Sequence, residues 1–368
     1  MENLPEFIET HKPEEADDFH GDVSPPSPKS SIKAIQNEFS SLILLICLYS
    51  VQGMTLSFYE SSLEIILTSQ GAKYTELGVF SLIMVPFSFK IFFAPFLDIY
   101  YFKKFGKRKT YIVPILYILC GLTLALSFFI DSWVQNFRDN MTILVLSGMG
   151  LLFLCGLQDV ANDAWVLTLI SPENLIYGSL AQYVGRILGT LFGFYFLIPL
   201  NSVDFCNEYI FEIPRSTPLV KLQYFMILVA ACELALAFYI HLLKREQNPV
   251  KQEYKTLLDI VKLFKGMYSN KNIRLYVLFL LTLPVTLIVV KESATVTLIR
   301  EGMRKDHLSN MGLICLPLAF ITCLIATRKM HQNPKNLRMM INAVIVLMIT
   351  NVVVVYIFTN FDKDTNYK

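Results

Sequence analysis

Residues 111–130 read YIVPILYILCGLTLALSFFI, a run of apolar and small side chains that contains no charged residue. An α-helix needs about 20 apolar residues to cross the hydrocarbon core of a bilayer, so this run predicts a membrane-spanning helix. Similar runs continue on both sides of it. Together they give nine predicted spans, at residues 40–59, 76–97, 111–130, 141–169, 175–200, 219–243, 274–298, 308–327 and 339–359.

The composition agrees with a membrane protein that crosses the bilayer several times. Of the 368 residues 54% are hydrophobic and 17% are charged, whereas a soluble domain carries about 25% charged residues. These values exclude a cytosolic enzyme, a secreted disulfide-rich domain and a nucleic-acid-binding protein. The alternating pattern of a transmembrane β-barrel is absent. The predicted fold class is therefore all-α, a polytopic helical bundle with about nine transmembrane helices.

The distribution of positive charge predicts the orientation of these spans. The N-terminal segment and the loops after spans 2, 6 and 8 hold 19 Lys and Arg residues, and the loops after spans 1, 3, 5 and 7 hold 7. Because cytosolic loops are enriched in Lys and Arg, the N-terminus is predicted to face the cytosol. Below, the end of the bundle that carries the loops after spans 2 and 6 is called the basic end.

The chain divides into four predicted regions. Residues 1–37 form an acidic, proline-rich cytosolic tail that is expected to be disordered. Residues 38–243 form an N-terminal six-helix bundle, and residues 274–368 form a partial C-terminal bundle of three helices and a short tail. The linker at 244–273 carries apolar residues at helical spacing between lysines. It is predicted to contain an amphipathic helix, either lying at the membrane interface or resembling a calmodulin target.

Span 4 contains the most unusual segment, Gln158-Asp159-Val160-Ala161-Asn162-Asp163-Ala164-Trp165. Asp159 and Asp163 lie four residues apart and therefore share one face of the helix. An ionisable residue inside a membrane helix is costly and usually functional, so we expect a counter-ion nearby. Arg186 in span 5 lies at a matching depth. The pair either holds the conformation without touching a ligand, or it binds or gates an anionic solute.

Other polar and aromatic residues at membrane depth extend this candidate site. Lys90 in span 2 is a cation for the same cavity or a lysine that extends to the headgroups, and Lys291 in span 7 pairs with Glu292 or faces the cavity. Tyr183 and Trp165 are candidates to stack on a planar ring. The predicted substrate-binding residues are Gln52, Lys90, Gln158, Asp159, Asp163, Trp165, Gln182, Tyr183, Arg186 and Lys291.

The sequence offers no pattern for catalysis or for metal binding. No zinc-ligand spacing, phosphate-binding glycine loop or Ser-His-Asp arrangement is present in it. We therefore predict no catalytic residue, no metal and no cofactor, and a protein that is not an enzyme. One alternative is a membrane-embedded enzyme, for which His241 at the end of span 6 is the best candidate residue.

Several segments resemble the acetyl-coenzyme A transporter family of the major facilitator superfamily. The segments are Val51-Gln52-Gly53, Pro86–Lys90, Ala94–Asp98, Phe105–Lys109, Gln158–Trp165, Asp204–Asn207 and Arg300–Met303. The resemblance runs over roughly residues 40–330, and bacterial muropeptide permeases share part of it in looser form. It implies a bundle of the major facilitator type. It also implies that Asp98, Gly106 and Arg108 form a gating latch.

The resemblance also implies a function. Members of this family exchange cytosolic acetyl-CoA for CoA across the endoplasmic reticulum membrane, as multi-pass antiporters that work by alternating access. The expected partners are acetyl-CoA, CoA and the lipid bilayer, with a possible homodimer and no nucleic acid. The superfamily fold has twelve spans, so nine predicted spans suggest a chain that ends before spans 10–12. The alternatives are a muropeptide-permease-like solute transporter and a non-transporting, truncated remnant.

Overall fold

The computed structural model describes residues 28–102, 104–244, 257–279, 281, 296–299 and 303–332, together with positions 342, 345, 346 and 349. Within these ranges the regular structure is helical, which confirms the all-α prediction. Among the residues that the structure describes, six helices are long and apolar enough to cross a membrane. They are the first to sixth spans, at Glu38–Ser69, Tyr74–Phe92, Lys109–Ser127, Phe137–Leu169, Pro172–Leu200 and Leu222–Leu242.

The spans are assembled from α-helices with short irregular turns between them. The α-helices are α1 (Pro28–Ser57), α2 (Leu63–Ser69), α3 (Tyr74–Phe80), α4 (Val85–Ser88), α5 (Ala94–Ile99), α6 (Lys109–Ser127), α7 (Ile130–Gln135), α8 (Phe137–Leu169), α9 (Leu175–Thr190), α10 (Leu197–Leu200), α11 (Val203–Tyr209), α12 (Leu222–Leu242), α13 (Leu257–Ser269) and α14 (Lys305–Gln332). By their contacts the residues form two units, Met1–Phe39 and Ser40–Lys368. In the first unit α1 begins at Pro28, inside the segment that the sequence predicts to be a disordered tail.

The first and fifth spans pack backbone against backbone. A methyl group added at Gly189 would lie 2.5 Å from the carbonyl oxygen of Ser50 and 2.6 Å from the Cα of Gly53. One added at Gly185 would lie 2.7 Å from the carbonyl oxygen of Ile46. Small residues at an interface let membrane helices approach this closely, because the van der Waals contact between them is then extensive. Glycine is therefore required at positions 185 and 189.

Each of these two spans also contains one π-helical turn, at Phe58–Ser62 and at Leu191–Phe196. The two turns lie against each other, and the hydroxyl of Ser62 donates a hydrogen bond of 2.5 Å to the carbonyl oxygen of Gly193. A π-turn leaves backbone groups displaced from the regular ladder, and polar side chains of a neighbouring helix satisfy them. The first span consequently continues to Ser69, ten residues beyond its predicted end at residue 59.

The second span is interrupted, as its prolines predict. Short 3-10 turns at Ser81–Met84 and Phe89–Phe92 alternate with short α-helices, and Pro86 and Pro95 stand in the first turns of α4 and α5. Proline lacks a backbone N–H and fits only the beginning of a helix. The interruption brings Lys90 and the ring of Phe87 to the face that meets the fourth span, where both lie close to Gly156.

The third and sixth spans pack along each other, and side chains satisfy both ends of the sixth span. At its start, the carboxylate of Asp131 in α7 accepts hydrogen bonds from the backbone N–H groups of Leu222 (3.2 Å) and Gln223 (3.3 Å). At its end, Lys109 donates to the carbonyl oxygens of His241 (3.1 Å) and Lys244 (2.8 Å). An anion at the N-terminus and a cation at the C-terminus both complement the helix dipole.

The remaining predicted elements are only partly described. Helix α13 lies within the predicted linker, and its side chains Phe264 and Tyr268 are exposed. Helix α14 contains the predicted span at 308–327. The predicted spans at 274–298 and 339–359 lie largely outside the described residues, so the count of nine spans is not confirmed.

Candidate functional site

Asp159 in the fourth span is surrounded by donors from three other spans. Its Oδ1 accepts hydrogen bonds from Gln52 Nε2 (3.0 Å) in the first span and Arg186 Nη2 (3.2 Å) in the fifth. Its Oδ2 forms an ion pair with Lys90 of the second span. We call these four residues the Asp159 cluster. They bring together four spans at one buried carboxylate.

The accessible part of this cluster is positively charged. The side chain of Asp159 is 1% exposed, whereas those of Lys90 and Arg186 are 32% and 37% exposed. The ring of Phe87 lies between the two cations, with its centroid 4.5 Å from Lys90 Nζ and 5.8 Å from the guanidinium carbon of Arg186. A cation over an aromatic face is stabilised by the quadrupole of the ring. The accessible groups of the cluster are therefore the two cations, and its carboxylate is buried behind them.

A second carboxylate lies one helical turn away. Asp163 Oδ1 accepts hydrogen bonds from the hydroxyl of Tyr49 (2.7 Å) and from Gln182 Nε2 (2.9 Å). Unlike Asp159, it is exposed and has no ion-pair partner among the described residues. Tyr183, next to Gln182, is 39% exposed. These polar groups extend the cluster along the fourth and fifth spans.

The structure shows the contacts of two charged residues of the predicted site, Arg186 and Lys90. It confirms the predicted pairing of Arg186 with Asp159. Lys90 pairs with Asp159 as well, so the alternative in which it extends to the headgroups is wrong, because the proline-interrupted second span turns it inward.

Two other predicted residues lie away from the exposed face. Trp165 is 1% exposed and packs in an apolar cluster with Leu48, Leu116 and Ile240, so stacking on a solute is not open to it in this arrangement. Gln158 is also 1% exposed, with its Nε2 atom lacking a hydrogen-bond partner. Lys291 lies outside the described residues.

Two residues of the site were missed by the sequence reasoning, and helical spacing could have found both. Phe87 precedes Lys90 by three residues, and Tyr49 precedes Gln52 by three. Residues three apart lie on one side of a helix. A search for aromatic residues one turn before each polar membrane residue would have identified them.

At the basic end, Asp98 pairs with two cations of the loop that follows the second span. Its Oδ1 lies 2.9 Å from Arg108 Nη1 and 3.1 Å from Lys107 Nζ. Gly106 has φ = 106°, a backbone conformation that favours glycine. The three residues that the family resemblance assigns to a latch are thus together in space. We call Asp98, Lys107 and Arg108 the Asp98 group.

A third charged group lies at the opposite end and includes the start of α14. Arg304 Nη1 donates to Glu208 Oε2 of α11 (2.9 Å), and its Nε and Nη2 donate to the two oxygens of Asp306 (3.2 and 2.9 Å). The hydrogen bond from Arg304 lowers the pKa of Glu208 from its ordinary value. Nearby, the hydroxyl of Ser309 donates to the carbonyl oxygen of Tyr195 (3.1 Å). Helix α14 is thereby attached to the fifth span and to α11.

Comparison with known proteins gives the family. The family described as acetyl-coenzyme A transporter 1 matches residues 41–262, which is more than half of the chain and includes all four residues of the Asp159 cluster. The chain belongs to this family. An uncharacterised protein of Schizosaccharomyces pombe is 28% identical over 326 residues, which is 84% of this chain and 61% of that protein.

Two further relatives are membrane proteins by their descriptions. An uncharacterised membrane protein of Saccharomyces cerevisiae is 32% identical over 244 residues, covering 61% of this chain and 43% of its own length. The anhydromuropeptide permease of Escherichia coli is 22% identical over 160 residues, covering 44% of this chain and 31% of the permease. The chain thus spans 61% and 43% of the lengths of the two fungal relatives.

Two other polar positions of this family member are alternatives to the Asp159 cluster. Glu233 of the sixth span is 1% exposed and faces the hydroxyls of Thr55 and Thr123. His241 packs against the rings of Phe105 and Tyr117, and its Nδ1 lies 3.3 Å from the hydroxyl of Tyr117. The described residues contain no group of three or more His, Cys, Asp or Glu side chains that could hold a metal ion. The Asp159 cluster is therefore the candidate functional site.

Proposed function

We propose that this protein is a transporter, or part of one, that moves acetyl-CoA into the lumen of the endoplasmic reticulum in exchange for CoA. Lys90 and Arg186 of the Asp159 cluster would contact the phosphate groups of the solute. The observation that carries the proposal is that these two cations, from different spans, are both partly exposed beside a buried carboxylate.

The chemistry of the site supports an anionic solute. Lipid tails do not stabilise a partly exposed cation, so ionisable side chains inside membrane proteins face the bundle interior or a water-filled cavity. Arginine and lysine are the usual protein ligands of phosphate, and arginine presents paired donors to it. CoA and acetyl-CoA carry several phosphate charges, and their adenine ring is a partner for Phe87 or Tyr183. Alternating access would expose such a midplane site to each side in turn.

Gln52, Asp163 and Gln182 complete the proposed binding site. Gln52 bridges the carbonyl oxygen of Cys155 (2.9 Å) and Asp159, and so fixes the carboxylate between the first and fourth spans. Gln182 and Asp163 offer neutral and acidic hydrogen-bonding groups beside the cations. Trp165 and Gln158 support the fourth span from its buried side. The Asp98 group would control opening at the basic end, which we propose faces the cytosol together with the N-terminus.

A counterflow experiment tests this function. The purified full chain is reconstituted into liposomes loaded with CoA, and uptake of radiolabelled acetyl-CoA is measured with and without internal CoA. We expect uptake that requires internal CoA and is lost in Lys90→Gln and in Arg186→Gln, and retained in the control Lys221→Gln at the start of the sixth span. Absence of uptake in a chain that binds acetyl-CoA would contradict transport, and equal uptake by all three variants would contradict the site.

Likeness to the anhydromuropeptide permease favours one second candidate, a muropeptide-like solute. Such solutes carry carboxylates, which also pair with arginine and lysine. The same liposomes distinguish the two solutes by competition. Under the main proposal, an excess of an anhydromuropeptide should leave acetyl-CoA counterflow unchanged. Under the alternative, labelled acetyl-CoA should not enter the liposomes and a labelled anhydromuropeptide should.

A further inference from the structure

The charges at the proposed site balance before any solute binds. Lys90 and Arg186 contribute two positive charges, and Asp159 and Asp163 in their ionised forms contribute two negative charges. An anion that enters this site adds uncompensated negative charge in a region of low dielectric constant, where such charge is costly. Something must compensate it when the solute binds.

The geometry shows which group is most affected. Among the described residues, the charged hydrogen-bond donors of Asp159 are the two partly exposed cations, and its other donor is the neutral amide of Gln52. A phosphate that takes over the hydrogen bonds of Lys90 and Arg186 therefore removes the charge partners of a carboxylate that is 1% exposed. Leaving a buried carboxylate without a cation costs about 3–5 kcal/mol.

Protonation of Asp159 removes this cost. A hydronium ion gives its proton to one carboxylate oxygen: an O–H bond of the hydronium ion breaks, a new O–H bond forms at Asp159, and water and the neutral acid remain. Asp163 is less affected, because it is exposed and its hydrogen bonds come from Tyr49 and Gln182 rather than from the two cations. A neutral Asp159 still satisfies Gln52, which donates to it.

We propose that Asp159 is a proton-binding site, and that one proton binds at Asp159 together with each phosphorylated solute. This inference rests on the proposed function, since it takes Lys90 and Arg186 to be the phosphate ligands. Within the part of the chain that the structure describes, the titratable and charged groups that face Asp159 are Lys90 from the second span, Arg186 from the fifth, Tyr49 from the first, and Asp163 and Cys155 from its own helix. The proposal assigns the proton to the one carboxylate whose cations the solute takes.

Calorimetry on the wild-type chain tests this proposal without any variant. The full chain in lipid nanodiscs is titrated with CoA between about pH 7 and 8.5, above the second phosphate pKa of about 6, so that the solute itself does not change protonation. Binding that takes up one proton weakens as pH rises, and Kd should increase by up to about tenfold per pH unit. Titrations in two buffers with different ionisation enthalpies should show uptake of about one proton per CoA.

Variants then locate the proton. In Asp159→Asn the cations have no competing carboxylate, so CoA should bind more tightly than to the wild type at the upper end of this pH range. Its Kd should also be independent of pH, and proton uptake should be absent. Asp163→Asn should keep the proton uptake. Glu173→Gln, an exposed position at the start of the fifth span, is the control and should behave as the wild type.

The possible results separate this inference from the proposed function. If CoA binds to the wild type with a Kd that does not change with pH and with no proton uptake, the proton site is wrong and the proposed function stands. If Asp159→Asn still takes up the proton, the assignment to Asp159 is wrong. If CoA does not bind at any pH, the proposed function fails and this inference fails with it.

Discussion

The Asp159 cluster and the Asp98 group each contain one aspartate and two cations, yet their burial is reversed. In the Asp159 cluster the carboxylate is 1% exposed and its cations are 32% and 37% exposed. In the Asp98 group the carboxylate is 41% exposed, while Arg108 and Lys107 are 9% and 19% exposed. In the first group the accessible charge is positive. The second turns its positive charge into the protein.

This difference indicates that two ion pairs of the same composition depend on their cations to different degrees. A buried carboxylate depends on its cations, because nothing else compensates its lost hydration. An exposed carboxylate keeps much of its hydration, so it depends less on its cations than a buried carboxylate does. The Asp159 cluster should therefore be sensitive to the removal of its cations and to anionic solutes. The Asp98 group should depend mainly on the geometry of its loop.

The largest expected effect comes from removing both cations of the buried carboxylate. The double variant Lys90→Ala, Arg186→Ala leaves Asp159 with Gln52 alone, and its free energy of unfolding should fall by about 3–5 kcal/mol. Unfolding in mixed detergent micelles measures this change. Adding Asp159→Asn to the double variant removes the unpaired charge and should restore most of the loss. A triple variant no more stable than the double variant would mean that packing, rather than charge, is responsible.

The next effect tests the helix contact that positions Arg186. A methyl group at Gly189 meets the backbone of Ser50 and Gly53, so Gly189→Ala should separate the first and fifth spans and cost about 1–3 kcal/mol. The same substitution at Gly150, where a methyl group has nothing within 4 Å, is the matched control and should be neutral or slightly stabilising. Thermal unfolding of both variants in nanodiscs measures the difference. Equal melting temperatures would contradict the close contact between the two spans.

A smaller effect is expected at the exposed carboxylate. Asp98→Asn should lower the free energy of unfolding by about 1 kcal/mol, because the amide oxygen of the variant can still accept a hydrogen bond from Arg108, which is 9% exposed. If the Asp98 group controls opening, the same variant should alter the rate of counterflow without changing the affinity for CoA. A loss of stability as large as that of the Lys90→Ala, Arg186→Ala variant would remove the distinction between the two regions.

The smallest effect concerns the exposed pair at the opposite end, Glu208 and Arg304. Because Arg304 lowers the pKa of Glu208, this pair stabilises the protein above the ordinary glutamate pKa of 4.5, and the contribution is lost as pH falls through the lowered value. Glu208→Gln should therefore melt slightly below the wild type at neutral pH and together with it in strong acid. Glu212→Gln, exposed in the same loop, is the control. A difference that persists in strong acid would contradict the ion pair as its cause.

The sequence by itself determined the helical class, the positions of six spans and one ion pair. A long apolar run in lipid forms a helix, because its backbone groups must then bond to one another. For this reason the predicted span at residues 111–130 and the observed helix at Lys109–Ser127 agree closely. The pairing of Asp159 with Arg186 was also predictable, because both carry charge at similar depth and a buried charge needs a partner.

Only the tertiary structure decided which of the polar and aromatic residues are accessible. Helical spacing places Gln158, Asp159 and Trp165 in one segment, but only the packing of neighbouring spans shows that Trp165 is in the apolar core while Lys90 and Arg186 reach an accessible face. The close approach of the first and fifth spans at Gly189, and the turn that brings Lys90 to Asp159, depend on contacts between residues far apart in the chain. Depth in the membrane follows from position along one helix, whereas exposure depends on all the helices around it.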